Sequence, residues 1–169
     1  NLVAEKEKGT IEQINVSPIK KHEFIIGKLL PFWILGLVSL TLGFIISYLI
    51  FDVWPVGSFV TIYLYAMIYL FAVLGVGLLL STFVDTQQQA TLFAFFIMMM
   101  FVLLGGLYTP VESMPGWAQK LSWCMPTSHF ISVIRSIVIK GSHISDLKIE
   151  FITITGFAII INALAIWNY

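Results

Sequence analysis

The chain has 169 residues, of which 59% are hydrophobic and only 11% are charged, and its mean hydropathy is +0.95. A soluble domain carries about 25% charged residues, so this composition excludes an ordinary soluble globular protein. Nine basic side chains balance nine acidic ones, and no net charge is left to attract nucleic acid. We therefore expect the lipid bilayer to be the main surroundings of the chain.

The ionisable side chains are clustered, and four long stretches between the clusters contain none. These stretches are 29–51, 53–84, 86–111 and 151–169. About 20 apolar residues span the ~30 Å of hydrocarbon, and continuous apolar runs without strict alternation favour helices over barrel strands. The sequence predicts an all-α integral membrane protein whose four transmembrane helices lie near 29–51, 58–83, 88–108 and 150–168.

The first 28 residues form a polar segment with two helix-start signals. Residues 10–13 read Thr-Ile-Glu-Gln, the Ser/Thr-x-x-Glu/Gln spacing of a capping box, which predicts a short helix from Thr10. Ser17 and Pro18 repeat the signal with a hydroxyl at the N-cap and proline at the first helical position. The helix that follows is predicted to lie along the membrane surface up to Lys28. We interpret 1–28 as one unit and 29–108 as three spans.

The charges predict which side of the membrane this segment occupies. It holds five lysines, and the positive-inside rule then places it in the cytoplasm. Three predicted spans separate this segment from 109–149, so 109–149 is predicted to be external. Residues 150–169 then return as the last span, and four spans put both ends of the chain on one side.

Small and polar residues predict where the spans approach one another. Residues four apart share a helix face, and a stripe of small residues lets another helix come close. Asn162 is the one strongly polar side chain deep in a span, and we interpret it as a helix–helix hydrogen-bonding group. The predicted packing residues are Ser39, Gly43, Ser47, Gly77, Ser81 and Asn162.

Prolines divide the external segment into two apolar helices, roughly 117–125 and 127–140. At ~1.5 Å per residue the second reaches only about 20 Å, too short to cross. A re-entrant hairpin explains both lengths if neighbouring helices shield its turn; the alternative is an amphipathic pair lying on the surface. The residues predicted to form this gate are Pro110, Glu112, Pro115, Trp117, Pro126 and Arg135.

The sequence contains no pattern for catalysis or for a resident metal. It has no His-Glu-x-x-His, Cys-x-x-Cys, Gly-x-Ser-x-Gly or Gly-rich phosphate loop. The spans also lack the Asp, Glu or His relays of proton-coupled transporters, so energy must come from elsewhere. Two other hypotheses stay open: a channel or scaffold subunit that uses no ATP, and a membrane enzyme using Glu112, His129 or Cys124.

Three motifs resemble the type-2 ABC exporter permeases, and especially the bacterial multidrug-type branch. The opening Glu-Lys-Glu-Lys-Gly-Thr-Ile-Glu-Gln of 5–13 is similar to that family's coupling segment, and Gln-Gln-Gln-Ala of 87–90 to its next cytoplasmic turn. The external region resembles its re-entrant segment. The resemblance assigns ATPase coupling to Glu5, Glu7, Gly9, Thr10, Glu12, Gln13, Ser17, Pro18 and Lys28.

The resemblance implies a permease subunit in the bacterial inner membrane, of which this chain is the C-terminal membrane part. Two further spans would precede Asn1, and a second permease subunit, identical or different, would complete a dimer. ATP and Mg would be bound by a separate cytoplasmic ATP-binding subunit, and no cofactor by this chain. Since the spans offer no charge to an ion, we expect an amphipathic or apolar substrate.

Overall fold

The computed structural model describes the backbone of residues 3 and 21–168 and the side chains of residues 3 and 26–168. Over 21–168 the chain forms α-helices, one short 3₁₀-helix and no β-strand. The helices are α1 (Lys21–Phe51), α2 (Phe59–Phe83), α3 (Gln87–Leu104), α4 (Gly116–Trp123), α5 (Pro126–Lys140) and α6 (Lys148–Asn168), and the 3₁₀-helix is Val111–Ser113.

Four helices are long and apolar enough to cross a membrane. They are Ile26–Phe51 within α1, then α2, α3 and α6. The predicted number of spans and the all-helical fold class are therefore confirmed. The coupling helix predicted from Thr10 lies outside the described residues.

The third span ends earlier than predicted, at Leu104 instead of residue 108. Two glycines follow, and Gly106 has a φ of 80°, a left-handed conformation that non-glycine residues rarely adopt. The apolar residues Leu107 and Tyr108 prolonged the hydropathy signal beyond the point where the backbone turns.

The helix α1 is continuous from Lys21 to Phe51, so it runs across the boundary predicted between a surface helix and the first span. Pro31 lies inside it, and its missing N–H leaves only one carbonyl of the helix without a partner. Membrane helices tolerate such a proline when local adjustment satisfies that carbonyl. Gly27 and Pro31 therefore did not mark a helix end.

The centre of the fold is a parallel pair of helices, α2 and α6. The ring of Tyr65 contacts Phe151 edge-on with centroids 4.9 Å apart, and further along Asn162 Nδ2 donates to the Phe71 carbonyl at 3.0 Å. At the far end Asn168 Nδ2 donates to Thr82 Oγ1 at 3.3 Å. Because contact positions increase together along both helices, α2 and α6 run in the same direction.

Helix α1 packs antiparallel to α2. Its Trp33 Nε1 donates to the Met67 carbonyl at 3.0 Å, whereas Thr41, further along, shares a 2.6 Å hydrogen bond with the Tyr63 hydroxyl. Since α1 and α2 are antiparallel and α2 and α6 are parallel, α1 begins on the side where α6 ends. The loop at 52–58 and the segment 105–147 lie at the opposite side.

Candidate functional site

The predicted coupling segment lies almost wholly outside the described residues. Of its nine candidates only Lys28 is described, half-buried within α1. It lines a cavity of about 720 Å³ between α1, α2 and the start of α3, together with Pro31, Gly77 and Ser81. The other eight candidates are Glu5, Glu7, Gly9, Thr10, Glu12, Gln13, Ser17 and Pro18.

The loop between α1 and α2 is joined to the end of α5 by backbone hydrogen bonds. Val56 N–H donates to the Val138 carbonyl at 3.2 Å, and Gly57 N–H donates to the Ile137 carbonyl at 3.1 Å. A Cβ on Gly57 would come within 2.7 Å of the Ile137 side chain and 2.8 Å of its carbonyl oxygen. We call this contact the loop joint; only glycine fits there.

The other end of α5 is joined to the end of α3. The Ser122 hydroxyl, which is fully buried, donates to the Leu104 carbonyl at 2.6 Å. Ser128 Oγ lies 2.7 Å from the Ser122 carbonyl and 3.2 Å from the Leu104 carbonyl. We call this contact the serine joint, and it fastens the α4–α5 turn to α3.

The two joints lie at different depths along α2. The loop joint is at the residues preceding Phe59, whereas the Thr127 hydroxyl lies 3.5 Å from the hydroxyl of Tyr69, ten residues into α2 and therefore about 15 Å along it. The α4–α5 turn also faces the middle of α6, where Cys124 and Pro126 line a niche of about 370 Å³ with Ile154 and Ile160. The turn thus sits beside the spans, at some distance from the loop.

The six predicted gate residues do not form one cluster. Pro110 and Pro115 are exposed and precede the 3₁₀-helix and α4. Glu112 is exposed within the 3₁₀-helix, and Trp117 is 66% exposed. Only Pro126 is buried, at the first position of α5.

Arg135, the sixth gate residue, is exposed on α5. It lines a groove of about 510 Å³ between α1 and α5 whose floor includes Ser39, Gly43 and Ser47. The three members of the predicted stripe thus face an open groove of the described chain. Gly43 has no neighbouring atom within 4 Å of the position that a Cβ would take.

The packed face of α4 carries small side chains. Trp117 and Leu121 are exposed, whereas Ala118 and Ser122, on another face, are buried. The small side chains allow α4 to approach α3 and α5 closely, and the large ones remain outside.

Asn162 joins the two central helices. Its amide donates to the Phe71 carbonyl across the interface and to the Ala158 carbonyl within α6. A Cβ on Gly75 would come within 2.7 Å of the Asn162 Cγ. Gly75 is the close-approach residue that sequence reasoning missed, although it lies only two positions before the predicted Gly77.

The remaining packing candidates divide between buried and open positions. Ser81 is buried, but its hydroxyl bonds within α2, to the Leu78 carbonyl at 2.6 Å. A Cβ on Gly77 would have no neighbour within 4 Å, whereas Gly36 in α1 lies against the Leu70 side chain. Within the described chain, Gly36 is therefore a glycine of α1 that lies against α2, whereas Gly43 of the predicted stripe has no such neighbour.

The three residues of the membrane-enzyme hypothesis are not joined to one another by hydrogen bonds in the described structure. His129 Nε2 lies 2.8 Å from the Trp123 carbonyl, and Cys124 is exposed. The described residues contain no group of three His, Cys, Asp or Glu that could hold a metal ion.

A helix cap at the start of α3 was missed although its signature is in the sequence. Thr86 Oγ1 accepts from the Gln89 N–H, and Gln89 Oε1 accepts from the Asp85 N–H, both at 3.3 Å. This Thr-x-x-Gln spacing is the same capping box that predicted the helix from Thr10. The cap fixes the turn between α2 and α3.

Comparison with known proteins identifies the family. The family described as "ABC-2 family transporter protein" matches residues 1–167. The chain is 35% identical to "Probable multidrug ABC transporter permease YbhR" of Escherichia coli K12 over 142 residues, which cover 84% of this chain and 39% of that protein.

Two further relatives agree with this assignment. "Inner membrane transport permease YhhJ" of Escherichia coli K12 is 31% identical over 157 residues, 90% of this chain and 41% of that protein. "Linearmycin resistance permease protein LnrN" of Bacillus subtilis 168 is 19% identical over 147 residues, 86% of this chain and 38% of that protein. The chain thus spans about two fifths of these relatives, and no solved structure matches it. The chain belongs to the ABC-2 family of transporter proteins.

Proposed function

We propose that this chain is the membrane-embedded C-terminal part of an ABC exporter permease in the bacterial inner membrane. A separate cytoplasmic subunit would bind ATP and Mg and drive transport, and a second permease subunit would complete the pathway. The observation that carries the proposal is the family match over residues 1–167 together with four helices able to span a membrane.

The absence of charge from the interior of the spans supports an external source of energy. Residues 29–51, 59–83, 87–104 and 151–168 contain no Asp, Glu, Lys, Arg or His, and the charged residues Lys28, Lys148 and Glu150 lie only at the ends of the described spans, so the interior of the spans offers no acidic or histidine relay for protons. ATP hydrolysis by a partner fits this composition. An amphipathic or apolar substrate fits it as well, because no charged group in the interior of the spans could replace the hydration of an ion.

The direct test is to purify the full-length permease with its ATP-binding subunit and reconstitute both in vesicles. We expect the two to co-purify and candidate amphipathic substrates to stimulate ATP hydrolysis. A permease that purifies alone under conditions that preserve its fold, and transports without ATP, would instead favour the channel or scaffold hypothesis.

The coupling role proposed for the segment from Thr10 has its own test. In the full-length complex we expect Glu12→Arg to lower the amount of substrate transported per ATP hydrolysed, because it reverses a charge at the contact with the ATPase. Glu12→Gln is the matched variant, and it should have a smaller effect since it removes the charge without reversing it. Membrane insertion should be unchanged; equal coupling in all three proteins would contradict the role.

The re-entrant hairpin is proposed to close the external end of the pathway. If the loop joint lies outside, single cysteines at Glu112 and Gly141 should both react with an impermeant thiol reagent from the outside of intact cells. Cys124 is replaced by serine in each variant, so that only the new thiol reacts. Reaction of either position from the cytoplasmic side alone would contradict this topology.

A further inference from the structure

Helix α5 is attached at its two ends to two different parts of the membrane bundle. Its C-terminal end meets the α1–α2 loop at the loop joint, and its N-terminal end meets α3 at the serine joint. Both attachments involve the same kind of group, the carbonyls of a helix C-terminus.

At the loop joint the acceptors belong to α5 itself. Ile137 and Val138 are among the last four residues of α5, where the carbonyls run out of helical partners; the Ile137 carbonyl also accepts from the N–H of the C-cap residue Gly141 at 3.1 Å. The N–H groups of Val56 and Gly57 satisfy them. Separating the loop from α5 would remove the Val56 donor from the Val138 carbonyl and one of the two donors from the Ile137 carbonyl, and losing such partners is costly where water is excluded.

At the serine joint the acceptor belongs to α3. Leu104 is its last helical residue, so its carbonyl is also without a partner inside the helix. The Ser122 hydroxyl supplies the missing donor at 2.6 Å, and the Ser128 hydroxyl, 2.9 Å from it, has one proton that can reach either the Ser122 carbonyl at 2.7 Å or the Leu104 carbonyl at 3.2 Å. Here too, separation would strand a buried carbonyl.

Between the joints α5 is held firmly against α2. Val133 and Ile137 are completely buried, and the Phe130 ring stacks on Tyr69 with centroids 4.1 Å apart. A continuous helix of 15 residues that is fixed at both ends and along one face does not bend easily.

We propose that α5 is a brace that fixes the α1–α2 loop relative to the end of α3, so that a displacement of one reaches the other. Ser122, Ser128 and Gly57 are then positioning residues. The inference rests on the proposed function only for the source of the displacement, the transport cycle.

The test measures distance in the full-length permease, in lipid nanodiscs without any ATPase. Native cysteines are replaced, and spin labels are attached to Val53→Cys and Leu103→Cys, positions that are exposed. A second pair, Val53→Cys and Val60→Cys, reports on the loop alone. Double electron–electron resonance spectroscopy gives the distribution of distances between the two spin labels of each pair.

We expect one narrow peak for Val53 to Leu103, and its loss in the double variant Ser122→Ala/Ser128→Ala. The Val53 to Val60 peak should stay narrow in that variant. Ser81→Ala is the matched control, because it removes a buried hydroxyl whose bond stays within α2, and it should leave both peaks narrow.

Gly57→Val breaks the brace at its other end and should also abolish the narrow Val53 to Leu103 peak. Because the joints act in series, combining it with the two serine substitutions should broaden the distribution no further. A narrow peak that survives the serine double variant, or equal broadening of both label pairs, would overturn the proposal. Since no ATPase is present, either result is independent of whether the permease is ATP-driven.

Discussion

Helices α2 and α3 are neighbouring spans of similar apolar character, yet they are packed in opposite ways. A third of the most apolar window of α2 is buried, whereas only 6% of the corresponding window of α3 is. The large side chains Phe93, Phe96 and Met98 of α3 are exposed. In α2 the buried set includes Ala66, Ala72 and Gly75. Among apolar helices, small residues and single polar groups decide which helices associate, since lipid solvates the large side chains equally well.

The largest loss in the free energy of unfolding should come from placing a larger side chain at Gly75. Gly75→Val places its side chain on Asn162, and overpacking of this kind costs about 1–3 kcal/mol. Gly77→Val is the matched control in the same helix, with the same propensity change and no neighbour within 4 Å. The free energy of unfolding of the full-length permease, from denaturation in mixed detergent micelles, should fall only for Gly75→Val. An equal loss of unfolding free energy for Gly77→Val would contradict this prediction, because it would show that this face of α2 is packed too.

A smaller effect is expected from removing the polar group that joins the central helices. Asn162→Leu eliminates the hydrogen bond to the Phe71 carbonyl, and interhelical hydrogen bonds in membranes contribute about 0.6–2 kcal/mol. Asn168→Leu is the control, because Asn168 is exposed at the end of α6. The same unfolding measurement should give a clear loss for Asn162 and almost none for Asn168; the reverse order would contradict the role given to Asn162.

The smallest change in the free energy of unfolding should be the difference between valine substitutions at Gly36 and Gly43 of α1. A valine at Gly36 meets the flexible Leu70 side chain, which can rotate away, so we expect a loss of less than about 1 kcal/mol. Gly43→Val should leave the stability of the described bundle unchanged, because that position is open. A larger loss at Gly43 than at Gly36 would sharpen the comparison, by showing that the stripe packs on a part of the protein outside the described residues.

The four spans could be predicted from the sequence because a helix that crosses the hydrocarbon needs a long stretch of residues without charge. The sequence contains four such stretches, and each corresponds to one of the long helices. Packing was harder to predict, since Gly43 and Gly75 look alike in a sequence and only the fold decides which one has a neighbour. Asn162 was singled out because a strongly polar side chain is unusual inside a span, and in the structure its amide donates to the Phe71 carbonyl.

The joints of α5 could not be predicted, for two different reasons. The hydrogen bonds from Val56 and Gly57 to α5 use only backbone atoms, so no pattern of side chains in the sequence predicts them. The Ser122 and Ser128 hydroxyls were visible in the sequence, but their acceptor at Leu104 became available only because α3 stops before Gly105. Because the predicted end of α3 was four residues too late, the serine joint could not be predicted.

The parallel pairing of α2 and α6 has a consequence for the synthesis of the chain. Helix α2 receives its main partner only when the last helix emerges, and at ~5–20 residues per second the stretch from 84 to 147 takes several seconds to translate. During that interval Gly75 and its neighbours face lipid or another protein. A chain truncated before Lys148 would lack this partner, and α2 would keep the surface around Gly75 uncovered by α6.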